Sequence, residues 1–492
     1  MKVVVIGFGP CGAVASALLG QAGFEVLALD RSVEIYPKPR AMAVDHEIMR
    51  LFDNLGVAGA VLPLTAPFPA SEHFGVEGQI IRRVDMVPPP YPLGYTPTMT
   101  FSQPPVEAAL RAHATATPGV TVELGRAVTA VTEAGAVTLD DGRLVQADWV
   151  VACDGASSPT RQALGIALDD LVFDEPWLVV DLLLTGTAPG LPANAAQFCD
   201  PARPISYIPG PGAHRRFEIM LLPGEDAAAM QQEARVWPLL ARWLGPEVAT
   251  LWRAASYRFH ALVAREWRVG KVFLAGDAAH QQPPFIGQGM CQGLRDVANL
   301  AWKLAAVRDG ADPALLDSYG VERGAHVRAL TERIKAIGRQ ICERDPAAAR
   351  ARDAALLAQG GGAPPVVTRQ EIVPPLATGF LDHSGHPAVG TLFPQPALAD
   401  GTLLDRRHGH GWRLFSAVPA PGAIDLEGLG ERDGILAGWF ARHGVGAALV
   451  RPDHYVWGVD ADPSALAARA PFPQATPSAM VGCEPTIPGR NE

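Results

Sequence analysis

The chain has 492 residues, of which 48% are hydrophobic and 19% are charged, and its formal net charge at pH 7 is −10. A chain of this length exceeds what one hydrophobic core usually serves, so we expect two or three domains. The acidic charge argues against a nucleic-acid partner, which would favour a basic surface.

The first residues, MKVVVIGFGP, contain an apolar run that is too short for a secretory signal. No stretch reaches the ~18 to 20 consecutive apolar residues that a membrane helix needs. The six cysteines are scattered and form neither a CxxC pair nor a Cys/His cluster with zinc spacing. We therefore expect a cytoplasmic protein that has no membrane partner and no metal site.

Three segments share one pattern, a continuous apolar run that leads into a glycine-containing turn. They are KVVVIGFGPCGAVASALLGQAG (2–23), ADWVVACDGASSPTRQALG (147–165) and GKVFLAGDAAHQQPPFIGQG (270–289). Continuous apolar runs are typical of parallel strands that are covered on both faces. We expect one discontinuous domain whose sheet is assembled from all three. Its predicted ranges are 1–70, 97–172 and 260–355, the last with a helical extension.

The segments between these runs predict other units. Residues 71–96 and 173–259 contain strand and turn patterns, which favour a β-rich domain inserted into the first one. A Gly- and Pro-rich stretch, QGGGAPPV, predicts a linker over 356–387. We expect a last domain over 388–475 and a tail over 476–492.

The first glycine turn, GFGPCG, follows a strand and precedes a helical pattern. Glycines at this spacing permit a tight turn and the close approach of a pyrophosphate to the N-terminus of the helix. Asp30 ends the next strand, where an acid suits ribose hydroxyls and disfavours a 2′-phosphate. The pattern therefore predicts a site for FAD or NAD. The predicted cofactor-binding residues here are Gly7, Gly9, Pro10, Gly12, Asp30 and Arg31.

Two later motifs narrow this choice. CDGASSPTR supplies Asp154, and AGDAAH supplies Gly276 and Asp277. The three motifs, in this order, resemble those of the FAD-dependent aromatic hydroxylases, the class A flavoprotein monooxygenases. The resemblance covers residues 1–350 and looks closest to the 3-(3-hydroxyphenyl)propionate hydroxylase branch. The C-terminal region resembles the thioredoxin-like appendage of such enzymes but lacks a CxxC pair.

The resemblance implies an α/β fold with a Rossmann-like FAD-binding domain of the para-hydroxybenzoate hydroxylase type. An inserted β-rich substrate domain and a C-terminal thioredoxin-like domain would complete the chain. FAD would be bound tightly but not covalently, with NADH or NADPH as a transient reductant and O2 as co-substrate.

The implied reaction serves aromatic catabolism, in which a flavin C4a-hydroperoxide hydroxylates a phenol similar to 3-(3-hydroxyphenyl)propionate. An aromatic polyketide tailoring hydroxylase on the same fold is the main alternative. A flavin halogenase is disfavoured because no WxWxIP motif is present. A flavin redox sensor without turnover is disfavoured by the intact motifs. A homodimer is expected as well.

The resemblance also implies residue roles around FAD. Asp277 would bond the ribitol chain, and Asp154 belongs to the motif linked to both FAD and the nicotinamide cofactor. Arg40, in PKPRAMAVDHE, matches an arginine near the phosphates of both cofactors. Gln103 and Arg111, in FSQPPVEAALRAH, match a helix beside FAD.

The stretch that follows Asp277 has a physical reason to be rich in proline and glycine. A reduced flavin carries negative charge, which a helix N-terminus stabilises. Gly287 and Gly289 would let the backbone approach the ring, and a helix is expected from Met290 or Cys291. Pro284 stiffens the turn, and the resemblance places this proline segment over the flavin face, near where oxygen attaches.

A group that accepts the hydrogen bond or the proton of the phenol should exist. The candidates are Asp45, His46, Tyr207, Arg216, Tyr257 and His280. A substrate with a carboxylate tail would require an arginine. The candidates for that role are Arg82, Arg83, Arg215, Arg216 and Arg258.

Overall fold

A computed structural model describes residues 1–471 of the chain. The chain divides into two compact units, Met1–Gly379 and Phe380–Glu492. Residues 472–492, which include Cys483 and the predicted tail, lie outside the described part. Within residues 1–471, no helix is long and apolar enough to cross a membrane.

The regular elements, in chain order, are as follows. The strands are β1 (Lys2–Ile6), β2 (Glu25–Asp30), β3 (Ala43–Asp45), β4 (Thr65–Pro67), β5 (Ser71–Phe74), β6 (Ile80–Asp85), β7 (Thr98–Phe101), β8 (Val120–Leu124), β9 (Val128–Val131), β10 (Ala136–Leu139), β11 (Leu144–Gln146), β12 (Trp149–Ala152), β13 (Leu168–Leu184), β14 (Ala195–Phe198), β15 (Ile205–Pro209), β16 (His214–Met220), β17 (Ala249–Ala264), β18 (Arg268–Val269), β19 (Val272–Leu274), β20 (His280–Gln281), β21 (Val366–Thr368), β22 (Arg413–Ser416), β23 (Ile424–Asp425), β24 (Ala447–Val450) and β25 (Val456–Asp460). The α-helices are α1 (Pro10–Gln21), α2 (His46–Leu55), α3 (Ala58–Val61), α4 (Gln103–Ala116), α5 (Pro159–Ala163), α6 (Glu233–Leu240), α7 (Gly289–Arg308), α8 (Asp317–Ile341), α9 (Pro346–Gln359), α10 (Leu404–His408), α11 (Leu426–Leu429), α12 (Ile435–His443) and α13 (Pro463–Arg469).

A six-stranded sheet, in the order β18-β19-β12-β1-β2-β8, unites the three apolar segments. All neighbours in it are parallel except β18 and β19. The strands are buried on both faces, as the continuous apolar runs predict, and Val3, Val4 and Val5 are each 0% exposed. The glycine turns after β1, β12 and β19 therefore meet at one edge, the carboxyl edge of the sheet.

A nine-stranded sheet, in the order β20-β17-β13-β16-β15-β14-β5-β6-β21, forms the β-rich part of the first unit. The segment 71–96 contributes β5 and β6, which join the later strands through the parallel pair β14–β5. One face of this sheet packs on an apolar core that includes Leu178 and Phe217. The other face carries Trp177 and Phe259 and packs against Phe285.

The predicted linker over 356–387 needs correction. Helix α9 reaches Gln359, and β21 pairs with β6 at the edge of the nine-stranded sheet. Glycine and proline marked the turn here correctly, but an edge strand satisfies its backbone by pairing and needs no alternating pattern. The division between the two units falls after Gly379.

The second unit contains a four-stranded sheet in the order β23-β22-β24-β25. Strands β22 and β23 are parallel, and the other neighbours are antiparallel. Helix α12 packs on this sheet through Leu436, Trp439 and Phe440. This mixed sheet with its helices agrees with the thioredoxin-like domain expected from the sequence, and residues 380–471 contain no cysteine.

Candidate active site

A cavity of about 470 Å³ lies in the first unit. One side, here called the turn wall, is formed by the segments 9–11, 153–156 and 275–290, although Asp154 and Gly276 within them do not line the cavity. The opposite side, here called the sheet wall, is the face of the nine-stranded sheet that carries Val179, Gln197 and Phe259. The cavity therefore joins the carboxyl edge of the parallel sheet to the β-rich domain.

The glycines of the first turn have separate tasks. Gly7 has φ +91°, and a Cβ there would lie 2.4 Å from the Cys153 carbonyl oxygen. A Cβ on Gly12 would lie 1.8 Å from the Gly7 carbonyl oxygen. Gly9, by contrast, has no neighbour within 4 Å of such an atom and lines the cavity beside Pro10. Two glycines thus permit packing, and the third leaves space at the N-terminus of α1 for a phosphate group.

Asp30 supports this turn. Its Oδ2 accepts a hydrogen bond from the Phe8 N–H at 2.8 Å, and its Oδ1 accepts one from the Ser32 N–H at 2.8 Å. Neither Asp30 nor the exposed Arg31 lines the cavity. Their predicted contacts with the adenosine part of the cofactor therefore stay predictions.

Asp296 of α7 holds the turn after β19 through hydrogen bonds. The carboxylate accepts hydrogen bonds from the Gly276 N–H at 3.0 Å and from Arg323 Nε at 2.8 Å, and it lies 2.7 Å from His280 Nε2. Asp277 is left facing the cavity, where the surrounding protein raises the pKa of its carboxyl group. His280 therefore has a partner that assigns it to the structure of the turn.

The turn after β12 leaves one polar atom without a partner among the described residues. Asp154 Oδ2 accepts a hydrogen bond from the Thr160 N–H at 3.0 Å, whereas its Oδ1 is buried and unpaired. Arg161 Nη1 donates to the Ala278 carbonyl oxygen at 3.0 Å and so ties this turn to the one after β19. Gly155 borders the cavity.

The proline-containing segment forms the part of the turn wall next to α7. The Gly287 N–H donates to the Pro284 carbonyl oxygen at 2.7 Å, which closes a tight turn. Helix α7 begins at Gly289, one residue before the earliest predicted start. Gly289 and Met290 line the cavity, and a Cβ on Gly289 would meet nothing within 4 Å. The N-terminus of this 20-residue helix therefore borders open space.

The predicted residues of the segment before α4 lie beside this wall. Gln103 lines the cavity, accepts a hydrogen bond from the Ala41 N–H at 2.7 Å and donates to Glu107 at 3.0 Å. Arg111 pairs with Glu107 at 2.6 Å and does not line the cavity. Arg40 is exposed and lines the cavity.

The sheet wall is organised around Asp181, which is 0% exposed. Burial alone would raise the pKa of Asp181, but Arg216 and His214 lower it below its usual value. Arg216 binds the carboxylate at 2.8 and 3.1 Å and donates to the carbonyl oxygens of Arg40 at 2.7 Å and Pro39 at 3.0 Å. Four of the five N–H groups of this guanidinium are therefore engaged, two by Asp181 and two by the Pro39–Arg40 backbone.

Tyr257 is 42% exposed and lies on the same wall. Its hydroxyl accepts a hydrogen bond from Arg253, which also donates to the Pro39 carbonyl oxygen and lies 3.5 Å from Asp181. Tyr257 and Arg216 thus border the cavity, but both already have hydrogen-bond partners, and their contact with the phenol stays a prediction.

Three of the predicted phenol-contacting residues lie outside the cavity lining. Asp45 caps α2 through the Ile48 N–H at 3.1 Å and pairs with Arg295 at 2.5 Å. His46 is buried behind the wall, and burial lowers its pKa to about 4. Tyr207 is 1% exposed in the core on the other face of the sheet, because it sits at the alternate position of β15. Their assignment to the phenol has no geometric support.

Several cavity residues were missed by reasoning from the sequence. Glu218 lies two positions after Arg216 on β16, and strict alternation along that strand could have indicated it. Arg369 donates to the Ile286 carbonyl oxygen and stands 5.0 Å from the centre of the Phe68 ring. It lies within the segment predicted as a linker, so no sequence signal pointed to it.

The cavity fits FAD on the evidence of its own geometry. Gly9 and Gly289 leave room at the N-termini of two long helices, where N–H groups and the helix dipole favour phosphate and a charged flavin edge. Asp277 faces the space between them, where it would bond the ribitol chain. Gln282 lines the same wall, and its amide N and O are buried with no partner among the described residues.

Comparisons with known proteins agree with this geometry. Residues 1–334 match the family model described as an FAD binding domain. The chain is 35% identical to a probable NADH-specific resorcinol 4-hydroxylase of Rhodococcus jostii (strain RHA1), and the match covers 97% of both chains. It is 33% identical to a 3-(3-hydroxy-phenyl)propionate/3-hydroxycinnamic acid hydroxylase of Mycobacterium sp. (strain KMS), with 95% of this chain and 89% of the relative covered.

Among solved structures, the flavin-dependent monooxygenase PieE in complex with FAD and substrate superposes with a TM-score of 0.77 at 21% identity. The match covers 94% of this chain and 97% of PieE, and at this identity it shows the fold. The sequence-based predictions of the fold class and of FAD, NAD(P)H and O2 are thereby confirmed. The chain belongs to the FAD-dependent aromatic hydroxylases and is a monooxygenase.

Proposed function

We propose that this enzyme hydroxylates a phenol with one ring and a second substituent meta to the hydroxyl group, with NADH as the reductant. The observation that carries the proposal is the size of the cavity, about 470 Å³, which has to receive both the flavin ring and the substrate. That volume lies at the smaller end of the range for ligand pockets and favours a single ring over a polycyclic one.

The named substrates of the two relatives support this class. Resorcinol and 3-(3-hydroxyphenyl)propionate both carry a substituent meta to a phenolic hydroxyl. The substrate expected from the sequence belongs to the same class. The polyketide alternative draws on structures of 21–24% identity, such as those of aklavinone-11 hydroxylase and OxyS, and these carry the fold alone.

FAD, when bound, would supply the redox chemistry by which NADH and O2 hydroxylate the ring. The residues of the chain arrange the reaction. The N-terminus of α7 would stabilise negative charge on a flavin edge held there. Pro284, Phe285 and Ile286 close the turn wall against water, which would otherwise divert the oxygen to hydrogen peroxide.

Resorcinol is the first candidate because the arginines deep in the cavity are engaged. Arg216 and Arg253 share Asp181 and hold the Pro39–Arg40 backbone. A ring with a carboxylate tail is the second candidate, and Arg258 is the observation that favours it. Arg258 borders the cavity, and its side chain is 57% exposed and pairs with Asp174 at 2.8 Å.

A substrate panel tests the proposal. Purified holoenzyme is given NADH or NADPH with resorcinol, 3-(3-hydroxyphenyl)propionate, 4-hydroxybenzoate or a tetracyclic phenol. We expect substrate-dependent NADH oxidation with one hydroxylated product per NADH for the meta-substituted single rings. Turnover of the tetracycle alone would contradict the proposal. The homodimer remains a prediction, which light scattering on the same preparation tests.

A further inference from the structure

Glu218 occupies the middle of the sheet wall. It lies on β16 opposite Val179 of β13 and Ser206 of β15. Alternation along β16 directs Phe217 and Ile219 into the core on the other face, whereas Arg216 and Glu218 line the cavity. Its carboxylate is therefore presented to the space that receives the substrate.

The carboxylate of Glu218 has no hydrogen-bond or ion-pair partner among residues 1–471, although the residue is only 6% exposed. Its neighbour Asp181, which could have shared a proton with it, is instead bound by Arg216 and His214. Burial raises the pKa of Glu218 to about 7, and Asp181 adds to this while Arg216 opposes it. A buried acceptor without a partner normally marks a place that a ligand completes.

The other titratable groups around the cavity have fixed roles. His260 pairs with Asp174 at 3.4 Å, and His280 lies 2.7 Å from Asp296. Asp277 belongs to the turn wall. Arg216 and Arg253 hold Asp181 and the Pro39–Arg40 backbone, and Arg369 donates to the Ile286 carbonyl oxygen. Glu218 is thus the carboxylate that the sheet wall offers to a substrate.

We propose that Glu218 is the group that accepts the hydrogen bond, and then the proton, of the phenol hydroxyl of the substrate. This inference rests on the proposed function, because it identifies the base for the same reaction. A carboxylate that accepts from a phenol strengthens electron donation into the ring as the new C–O bond forms.

The phenolic O–H bond breaks, and its proton moves to Glu218. The electron pair left on oxygen flows into the ring, whose ortho or para carbon bonds to one OH group derived from O2 as the O–O bond breaks. That carbon then loses its hydrogen as a proton, the former phenol oxygen takes back the proton from Glu218, and the ring becomes aromatic again. NADH provides the two electrons, and the second atom of O2 leaves as water.

The charge of Glu218 also bears on the choice of substrate. A ring with a carboxylate tail brings a second negative charge into the same low-dielectric space, whereas resorcinol brings none. Glu218 therefore favours the neutral ring. It also offers resorcinol an acceptor for one hydroxyl group while the rest of the ring faces the turn wall.

The decisive variant is Glu218→Gln, which keeps the shape of the side chain but cannot take a proton. We expect kcat/KM for resorcinol to fall about a hundredfold, with FAD content retained and the melting temperature not lowered. Glu175→Gln is the matched control, since Glu175 lies in the same sheet, has a pKa that burial likewise raises, and lies outside the cavity lining. Glu218→Asp, which keeps the carboxylate, should recover part of the rate.

The pH profile separates catalysis from structure. For the native enzyme, kcat/KM should rise as Glu218 ionises, with a midpoint near pH 7. This limb should be absent in Glu218→Gln and present in Glu175→Gln. A native profile in Glu218→Gln would overturn the proposal. If Glu218→Gln loses FAD or the folded state, Glu218→Asp decides instead. A full rate and a pH limb at the native midpoint in Glu218→Asp would then overturn the proposal, because the shorter side chain moves the carboxylate.

Binding to the oxidised holoenzyme keeps the two proposals apart, because it needs no turnover. Resorcinol, followed through the flavin absorbance, should bind about tenfold more tightly at pH 8 than at pH 5.5, as a charged acceptor requires. Glu218→Gln should lose this difference and gain affinity for 3-(3-hydroxyphenyl)propionate relative to resorcinol. If no phenol is hydroxylated but these changes in affinity appear, the proposed function fails. The proposal that Glu218 accepts a hydrogen bond from the phenol then still holds. Equal binding of resorcinol by the native enzyme and by Glu218→Gln at both pH values would overturn the proposal that Glu218 accepts from the phenol.

Discussion

The two walls of the cavity are built by different means. The turn wall is shaped by backbone, with glycines that allow close packing or leave space and with two helix N-termini at its border. The sheet wall is shaped by buried charge, with Asp181 bound by Arg216, Arg253 and His214 and with Glu218 left without a partner among residues 1–471. The turn wall should therefore respond to changes of volume, and the sheet wall to changes of charge and pH.

The largest expected effect is on the turn wall. Gly12→Ala places a Cβ 1.8 Å from the Gly7 carbonyl oxygen, so the turn must open and FAD should be lost during purification. Gly9→Ala meets no protein atom within 4 Å, so it should keep the melting temperature of the apoprotein. Because its methyl group enters the phosphate space, FAD affinity should nevertheless fall at least about tenfold.

The flavin-to-protein absorbance ratio and FAD titration of the apoproteins measure the two effects. If Gly9→Ala bound FAD as the native chain does, the space beside Gly9 would not be the phosphate site.

On the sheet wall, Asp181→Asn should cost about 3–5 kcal/mol of folding stability, because it leaves buried cations without a counter-charge. Asp174→Asn on the same strand is the matched control, since its pair with Arg258 is half exposed and worth about 0–1 kcal/mol. Denaturant unfolding, followed for the unit Met1–Gly379, compares the free energies of unfolding of the two variants. Equal losses would show that buried charge does not organise this wall.

Replacing Glu218 should raise the folding stability, whereas replacing Asp181 should lower it. Its folded pKa of about 7 lies above its ordinary value of 4.5, so the folded state holds a proton that the unfolded chain has released between these values. The contribution of Glu218 to the free energy of unfolding is fully present below about pH 4.5 and is lost as the pH rises to 7. Glu218→Gln should therefore be more stable than the native protein at pH 8 by up to about 3 kcal/mol, and equal to it near pH 4.5.

Thermal melting at the two pH values tests this. A variant that was less stable at both would show that Glu218 is held by contacts that favour its charged form.

The smallest effect is expected where the walls are joined. Arg369 fixes the Ile286 carbonyl oxygen and stacks on Phe68. Lysine cannot do both, so Arg369→Lys should loosen the turn wall and raise the hydrogen peroxide released per NADH about twofold to fivefold. Product and peroxide are measured in the same reaction. Unchanged coupling would place Arg369 outside the part of the wall that excludes water.

The same contrast explains what could be predicted from the sequence. Gly7, Gly9, Gly12 and Asp277 stand in short motifs whose chemistry is local, so their places follow from the residues next to them. Glu218 depends on which face of β16 meets the cavity, and that is decided by pairing with strands about forty residues away along the chain.

The residues that were assigned to the phenol without geometric support have physical explanations as well. Asp45 precedes an amphipathic helix and caps it, a common task for aspartate that competes with any catalytic role. Tyr207 was chosen for its chemistry, but the alternation of β15 turns it towards Phe217 in the core. Residue type alone did not separate an acid that caps a helix from one that faces a substrate.

The contact between Arg369 and Ile286 has a practical consequence for protein engineering. The region that matches the FAD binding domain ends at residue 334, yet the chain returns afterwards through β21 to complete the cavity. A fragment trimmed to the matched region would lack Arg369 and leave the cavity open on one side. The shortest catalytic fragment worth expressing should therefore end after Gly379, where the first compact unit ends.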